Sequence, residues 1–600
     1  MISLTAAFRL CYKYLGFICL TALFLTGCGG GGGSSNFTPN NSQVLQTEDS
    51  ADSNADSSSE DTSTESATNE SSNGTNAISP DRDLLLEASR FASRATFGLN
   101  YTEIEALAEQ GIEEWLESQF AAPLGRHLTQ VNHLFERWEN GAFDEAENVD
   151  VIQFSFRRYV WWHMAIGSGD KLRQRIAFAL SQIFVASDQA AGLDAPRALP
   201  AYYDILIEHA FGNYRDLLSA VTLSPAMGVY LIHINNGKAN PITNTFPDEN
   251  YAREVMQLFS IGLHQLNPDG SPILDGSNQQ IPTYDNNTIR EFAKVFTGLS
   301  SGGPDGFFGN PWPNYLTPMV MFEDYHETGE KNLLNGIVIP NGLSGMEDID
   351  IAIDTLFNHP NVGPFVGKRL IQRLVTSNPS PAYISRVAST FNDNGAGVRG
   401  DMKSIIRAIL LDPEALDPVT THANFGKLRE PIVRLVQLAR MFNIETDGSY
   451  FYNGGYFVQR QLNQHPLSSP TVFNFFMPNH MPTGELASVG IVAPEFQITN
   501  NTTIINISNL SDNMVIGNFL SDTQKPPFPT LSLNLKEYTD LAFNADTLID
   551  KLDLVMTYGT LSPETRETIK HAAEELDDLE FRTKHTIFLI ASSPDFAVQL

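Results

Sequence analysis

From Asp83 onward, apolar residues return every three or four positions, and that spacing commits the chain to helices packed on helices. The segment GIEEWLESQF carries Ile112, Trp115, Leu116 and Phe120 at helical spacing, and DKLRQRIAFALSQIFVAS carries Leu172, Ile176, Leu180 and Ile183 on one face. Further amphipathic stretches are predicted at 201–211, 249–261, 287–299, 349–357, 362–375, 401–411, 430–442, 537–557 and 562–576. Local signals mark some starts: a capping box at Thr102–Glu105, Asp170 as a cap, Pro431 in a first turn, and Ser562-Pro563-Glu564. Between 263 and 345 the turn pairs Asp269-Gly270 and Asp275-Gly276 predict short strands, and residues 443–535 are rich in loop formers. The expected fold is therefore mainly α: one large helical domain over 83–600 with a small β-hairpin excursion and long ordered loops.

The three cysteines, Cys11, Cys19 and Cys28, all precede this body, so a disulfide framework, a thiolate metal site and a cysteine nucleophile are excluded from it. Arg9 and Lys13 ahead of the apolar Tyr14–Thr26 read as a secretory signal over residues 1–27. Leu25-Thr26-Gly27-Cys28 resembles the bacterial lipobox, which implies a lipid anchor at Cys28. With Gly29 in place of Asp, the resemblance also implies an outer-membrane or surface location in the cell envelope. Residues 28–82 form an acidic Ser- and Asn-rich stretch, read as a disordered tether spanning roughly 40 Å. Lys and Arg number 38 against 70 Asp and Glu, and a surface so acidic argues against nucleic-acid binding.

Chemistry has few places to sit. In Asp248-Glu249-Asn250-Tyr251-Ala252-Arg253-Glu254, helical spacing brings Asn250, Arg253, Glu254 and Gln257 within mutual reach, as a polar pocket or as a solvated face. His326, followed by Glu327, Glu330 and Lys331 on an expected loop, is the candidate general acid–base; hydrogen bonding to backbone is its plainer use. Arg173 and Arg175 share one helix, and Lys368, Arg369 and Arg373 another. The second group suits a carboxylate or sulfate, or pairs with the chain's own acids. FYNGGYF at 451–457 and Phe473, Phe475 and Phe476 suit either a stacking floor for sugar rings or core packing. Gly298–Gly302 matches G-x-S-x-G but trails a helix, so it reads as a helix stop. Asn267, Asp269 and Asp275 lack calcium-loop spacing, no HExxH is present, and neither metal nor cofactor is expected.

The stretches RFASRATFGLNYTEIEAL, AFGNYRDLLSAVTLSPAMGVYL, PDENYAREVMQLFSIGLHQLN, HPNVGPFVGKRLIQRLVTSNPSPAYISRVASTF and SPTVFNFFMPNHMPTGEL, in that order, resemble the bacterial family called domain of unknown function 1800. The resemblance runs from about Leu84 to SSPDFAVQL. It implies a large helical, secreted or envelope protein and names no reaction. It also implies a possible partner, the co-exported alkaline-phosphatase-like family called domain of unknown function 1501. Three functions stay open: a surface-tethered binding or assembly protein, an envelope hydrolase of polysaccharide or ester using His326, Glu254 and Arg253 together, and an envelope scaffold. A shared concave site for those three side chains would favour the hydrolase.

Overall fold

The computed structural model describes residues 80–141, 149–301, 306–308, 313–416, 424–446, 456–517 and 531–600. The signal segment, Cys28, the tether and most of FYNGGYF lie outside the described residues. Helices dominate, and they fall where the periodicity places them: Ala198–His209, Asn250–Gln257, Asn286–Val295, Gly345–Phe357, Val362–Leu374, Met402–Leu410, Pro431–Met441 and Pro563–Glu574. Pro431 occupies the first turn as expected, and the Ser562 hydroxyl accepts from the Thr565 amide.

Two expected caps are displaced. The box at the start of Tyr101–Gln110 is built by Asn100, not Thr102: its side chain accepts from the Glu103 amide while the Glu103 carboxylate returns to the Asn100 amide. Asn is at least as good a cap as Thr, and the helix starts two residues earlier, with Ile104 and Leu107 buried. Asp170 makes no cap hydrogen bond to Lys171–Ser181; its carboxylate instead accepts from the Gly125 amide and the Gln174 amide nitrogen. The predicted segment 537–557 breaks into Lys536–Thr539 and Ala545–Leu552 with a π-turn after it.

Among the described residues one large apolar core draws on side chains from Leu85 to Phe596, with two smaller clusters beside it, around Phe156 and Phe476. Phe97, Trp161 and Phe178 meet with ring centroids 5.6–5.7 Å apart, in edge-on or tilted contacts that aromatic quadrupoles favour. Strands are confined to two- and three-residue antiparallel pairs, such as Leu299–Ser300 with Val320–Met321 and Lys331–Asn332 with Val338–Ile339. The excursion at 263–283 folds back on itself through bridges at His264–Pro282, Leu266–Pro272 and Leu274–Gln280. Asp269 and Asp275 are spent inside its turns, accepting from the amides of Ser271 and of Ser277 and Gln279. Asn361, at the head of Val362–Leu374, pins the excursion: its amide nitrogen donates to the carbonyls of Ile261 and His264, and its oxygen accepts from the Leu266 amide. Gly262 lies beneath that junction at φ +71°, where a Cβ would stand 2.8 Å from the Phe365 ring. Among the described residues, no helix is long and apolar enough to cross a membrane.

Candidate functional site

The side chains singled out in the sequence separate into three groups. His326 is fully buried, and its loop does not hold it at the surface. Its Nδ1 lies 2.9 Å from the Thr297 carbonyl oxygen and its Nε2 2.9 Å from Asp348 Oδ2. Lys331, also fully buried, places Nζ 2.5 Å from the same Asp348 oxygen and 2.9 Å from the Gly329 carbonyl. The partner of His326 is thus a carboxylate on helix Gly345–Phe357, twenty-two residues downstream. Glu330 is exposed and takes no part. The network ties the loop after Val320–Met321 to that helix.

The second group lies on helix Asn250–Gln257. Arg253 is half-exposed and pairs with Glu249 at 3.5 Å, which also meets Arg290 at 3.5 Å. The Asn250 amide donates to Asp248, closing the turn into the helix. Glu254 faces the other way and is buried; burial pushes its carboxyl up from the ordinary range, with the Arg253 charge opposing. Its Oε2 has no hydrogen-bond partner, and neither has the Tyr284 hydroxyl, itself raised to about 12 by burial with Glu254 adding to the effect. Tyr230 is raised to about 12 for the same reasons. No hydrogen bond joins Glu254 or Arg253 to His326.

The third group is built on helix Val362–Leu374. Val362, Val366, Leu370, Ile371 and Leu374 are buried on this helix and Arg373 is buried with them, while Lys368 and Arg369 are partly buried. Arg369 lies over the Phe365 ring at 5.1 Å and donates from Nη1 to Gln372 Oε1 at 3.1 Å. Arg373 lies over the Phe476 ring at 4.6 Å. Gln372 holds the covering loop by donating to the carbonyls of Ser377 and Pro478.

Other elements converge on the end of this helix. Arg175, on helix Lys171–Ser181, donates to the Arg373 carbonyl at 2.9 Å, and Lys427 Nζ reaches the same carbonyl at 3.1 Å. Cations are favoured there because the last carbonyls of a helix are unpaired and carry its negative pole. Lys427 also pairs with buried Glu495 at 3.1 Å. Glu430 accepts from Gln182 and Gln464 through Oε2, while its Oε1 stays unpartnered.

Charge does not balance in this cluster. Arg175, Arg369, Arg373, Lys427 and Arg434 are set against Glu430 and Glu495. Burial, followed by the charge of Arg373, brings Arg369 down to about 10, so it keeps its proton at neutral pH. Burial lowers Arg373 as well, with Glu430 and Glu495 acting against it. Neither Arg369 nor Arg373 forms an ion pair among the described residues. Arg373 makes no side-chain hydrogen bond, yet its nitrogens are absent from the atoms sealed off from solvent. The arrangement can seat an anion: two guanidinium groups one helical turn apart, each over an aromatic ring, present donors that match a carboxylate, sulfate or phosphate.

Sequence reasoning paired Arg369 with Arg373 but left Arg175 in a separate patch, and it did not reach Gln182, Lys427, Glu430, Gln464 or Glu495. A usable signal was present: Arg173 and Arg175 stand in the first turns of a helix that continues as the apolar Ile176–Leu180 and is buried from Leu172 to Ser181. Of the aromatic run, Phe475 and Phe476 pack with Ile498 in a small core, and Phe473 is partly exposed. Among the described residues, no group of three His, Cys, Asp or Glu side chains is placed to hold a metal ion.

A family model described as "Protein of unknown function (DUF1800)" matches residues 90–598. No curated protein and no solved structure matches the chain.

Proposed function

This chain belongs to the DUF1800 family of proteins of unknown function, and on that premise we propose that it is an envelope-anchored binding protein whose ligand offers an anionic group to Arg369 and Arg373. One observation carries the reading. In a chain with 70 acidic residues against 38 basic ones, these two guanidinium groups are left without a carboxylate. Guanidinium donors that meet water at the edge of a buried cluster are open to an anion, and a charge-assisted pair there is stronger than one at a fully exposed surface. The envelope part is supported by the lipobox-like Leu25–Cys28 and the long acidic stretch behind it. A co-exported alkaline-phosphatase-like protein is a candidate for presenting or receiving the ligand. The hydrolase reading draws less support, since His326 is bonded to Asp348, Arg253 is paired with Glu249, and Glu254 is bonded to neither of them.

The test is a titration of the purified full chain with sodium succinate, sulfate and phosphate at constant ionic strength, read by melting temperature and by calorimetry. Saturable stabilisation by at least one of these anions is expected. Arg373→Met, which keeps the apolar stem, should weaken it at least about tenfold, the equivalent of ~1.4 kcal/mol. Identical titrations of the two proteins would refute the assignment.

A further inference from the structure

Residues 236–248 form a finger closed at both ends. At its root Asn236 accepts from the Asp248 amide at 2.9 Å, and the Lys238 amide donates to the Tyr325 carbonyl at 2.8 Å. At its tip the amides of Asn240 and Thr245 donate to each other's carbonyls at 2.9 and 3.2 Å. Asn240 Oδ1 accepts from the Ile242 amide at 2.9 Å, and Asn244 turns the chain at φ +54°. Asn is the non-glycine residue best suited to that left-handed position. This hydrogen-bonded frame holds Ile242 95% exposed and Phe246 72% exposed. Beside the root, Tyr325 stacks on Phe307 at 4.1 Å, and Phe308 stands edge-on to Tyr325 with its ring in solvent.

From the position of these residues we infer that the finger is a membrane-contacting element that sets Ile242 and Phe246 into the surface of the lipid bilayer. Three features of the chain select this occupant. Between Gly237 and Pro247 there is no carboxylate and one cation, Lys238, although the chain as a whole is strongly acidic. Two side chains on a narrow tip cover far less than the ~800 Å² per partner that a standard protein interface buries, whereas insertion into lipid has no such minimum. The inference rests on the anchoring proposed above. In that reading the acidic Ser- and Asn-rich stretch after Cys28 serves as a tether of roughly 40 Å, short enough for a weak contact between the body and the bilayer to be made repeatedly.

The experiment uses the full chain carrying Cys28→Ser, so that no acyl chain contributes and failure of the anchor is scored separately by its fractionation in cells. Co-sedimentation is measured with vesicles of phosphatidylcholine and phosphatidylethanolamine, and with the same lipids plus phosphatidylglycerol. Binding to the uncharged vesicles is expected, and weaker binding once phosphatidylglycerol is added, because the acidic body is repelled. Ile242→Ser with Phe246→Ser should weaken binding about tenfold or more at an unchanged melting temperature, since neither side chain packs on the core. In F246W the added indole fluorescence should shift to the blue on vesicles and be quenched by brominated lipid. Three outcomes would overturn the inference: no binding to either vesicle, equal binding by the double variant, or a finger-dependent dimer in sedimentation that marks a second copy as the occupant.

Discussion

Asp204 and His127 make opposite demands on pH from adjacent positions in the core. The Asp204 carboxylate accepts from the amides of His127 and Leu128 at 2.7 and 3.2 Å, holding the first turn of helix His127–Glu139. Burial pushes this carboxyl up to about 7, its two backbone hydrogen bonds opposing. The His127 ring is brought down to about 4 by burial, against a hydrogen bond to Gln174. For Asp204 the folded state holds a proton that the unfolded chain releases near its ordinary value of 3.8. Its contribution is therefore complete below that value and is lost as pH rises to about 7. For His127 the unfolded chain holds the proton, so its contribution is complete above about 6.5 and is lost as pH falls to about 4. At 1.36 kcal/mol per unit these are about 4 and about 3 kcal/mol, of opposite slope over nearly the same window. Asp204→Asn should leave stability rising with pH between about 4 and 6.5. His127→Gln should leave it falling with pH over a similar window. Urea unfolding of each variant, taken as a difference from wild type at half-unit steps of pH, isolates the two contributions from other buried histidines. Differences of the same sign in both variants would refute the reasoning.

Asp348→Asn leaves buried Lys331 without its carboxylate and should cost about 3–5 kcal/mol in denaturant unfolding, far more than a surface ion pair. Gly262→Ala should cost about 1–3 kcal/mol, because its φ of +71° disfavours a side chain and the new methyl meets Phe365; the displaced ring supports Arg369, so anion-induced stabilisation should fall with it. Cys28→Ser should release the protein from the envelope fraction, as judged by detergent partitioning and by loss of the acyl mass at that residue.

Helix positions were readable because their signal is short-range: a buried face repeats within a dozen residues, and Pro431 or Ser562 act on their own turn. The caps show the limit of that signal. Thr102 and Asn100 offer equivalent chemistry two residues apart, and residue type alone does not decide between them. The polar centres were less readable because their partners are distant in sequence. His326 has carboxylates at 327 and 330, yet bonds to Asp348; Arg175 meets the carbonyl of Arg373, 198 positions away. Residue type identified the participants, whereas the pairing depended on tertiary packing.

Burial alone does not separate a structural polar group from a binding one; satisfaction does. Around His326, Lys331 and Asp348, the histidine nitrogens and the lysine ammonium have acceptors and no solvent reaches them; Asp348 Oδ1 alone is left without a partner, and it is sealed in the core, where no ligand has a way in. Around Arg373 the reverse holds. Its carbonyl is doubly occupied by Arg175 and Lys427, its guanidinium lies over the Phe476 ring, and its nitrogens make no hydrogen bond among the described residues. Glu430 is close enough to influence Arg175 and Arg373 electrostatically, but its Oε2 is taken by Gln182 and Gln464. Its Oε1 is unpartnered, and Glu430 forms no ion pair with Arg373 among the described residues. A framework that restrains the nearby carboxylate while leaving the guanidinium donors free is the arrangement a replaceable anion requires, and it is why the binding assignment is placed on Val362–Leu374 and not on the histidine loop.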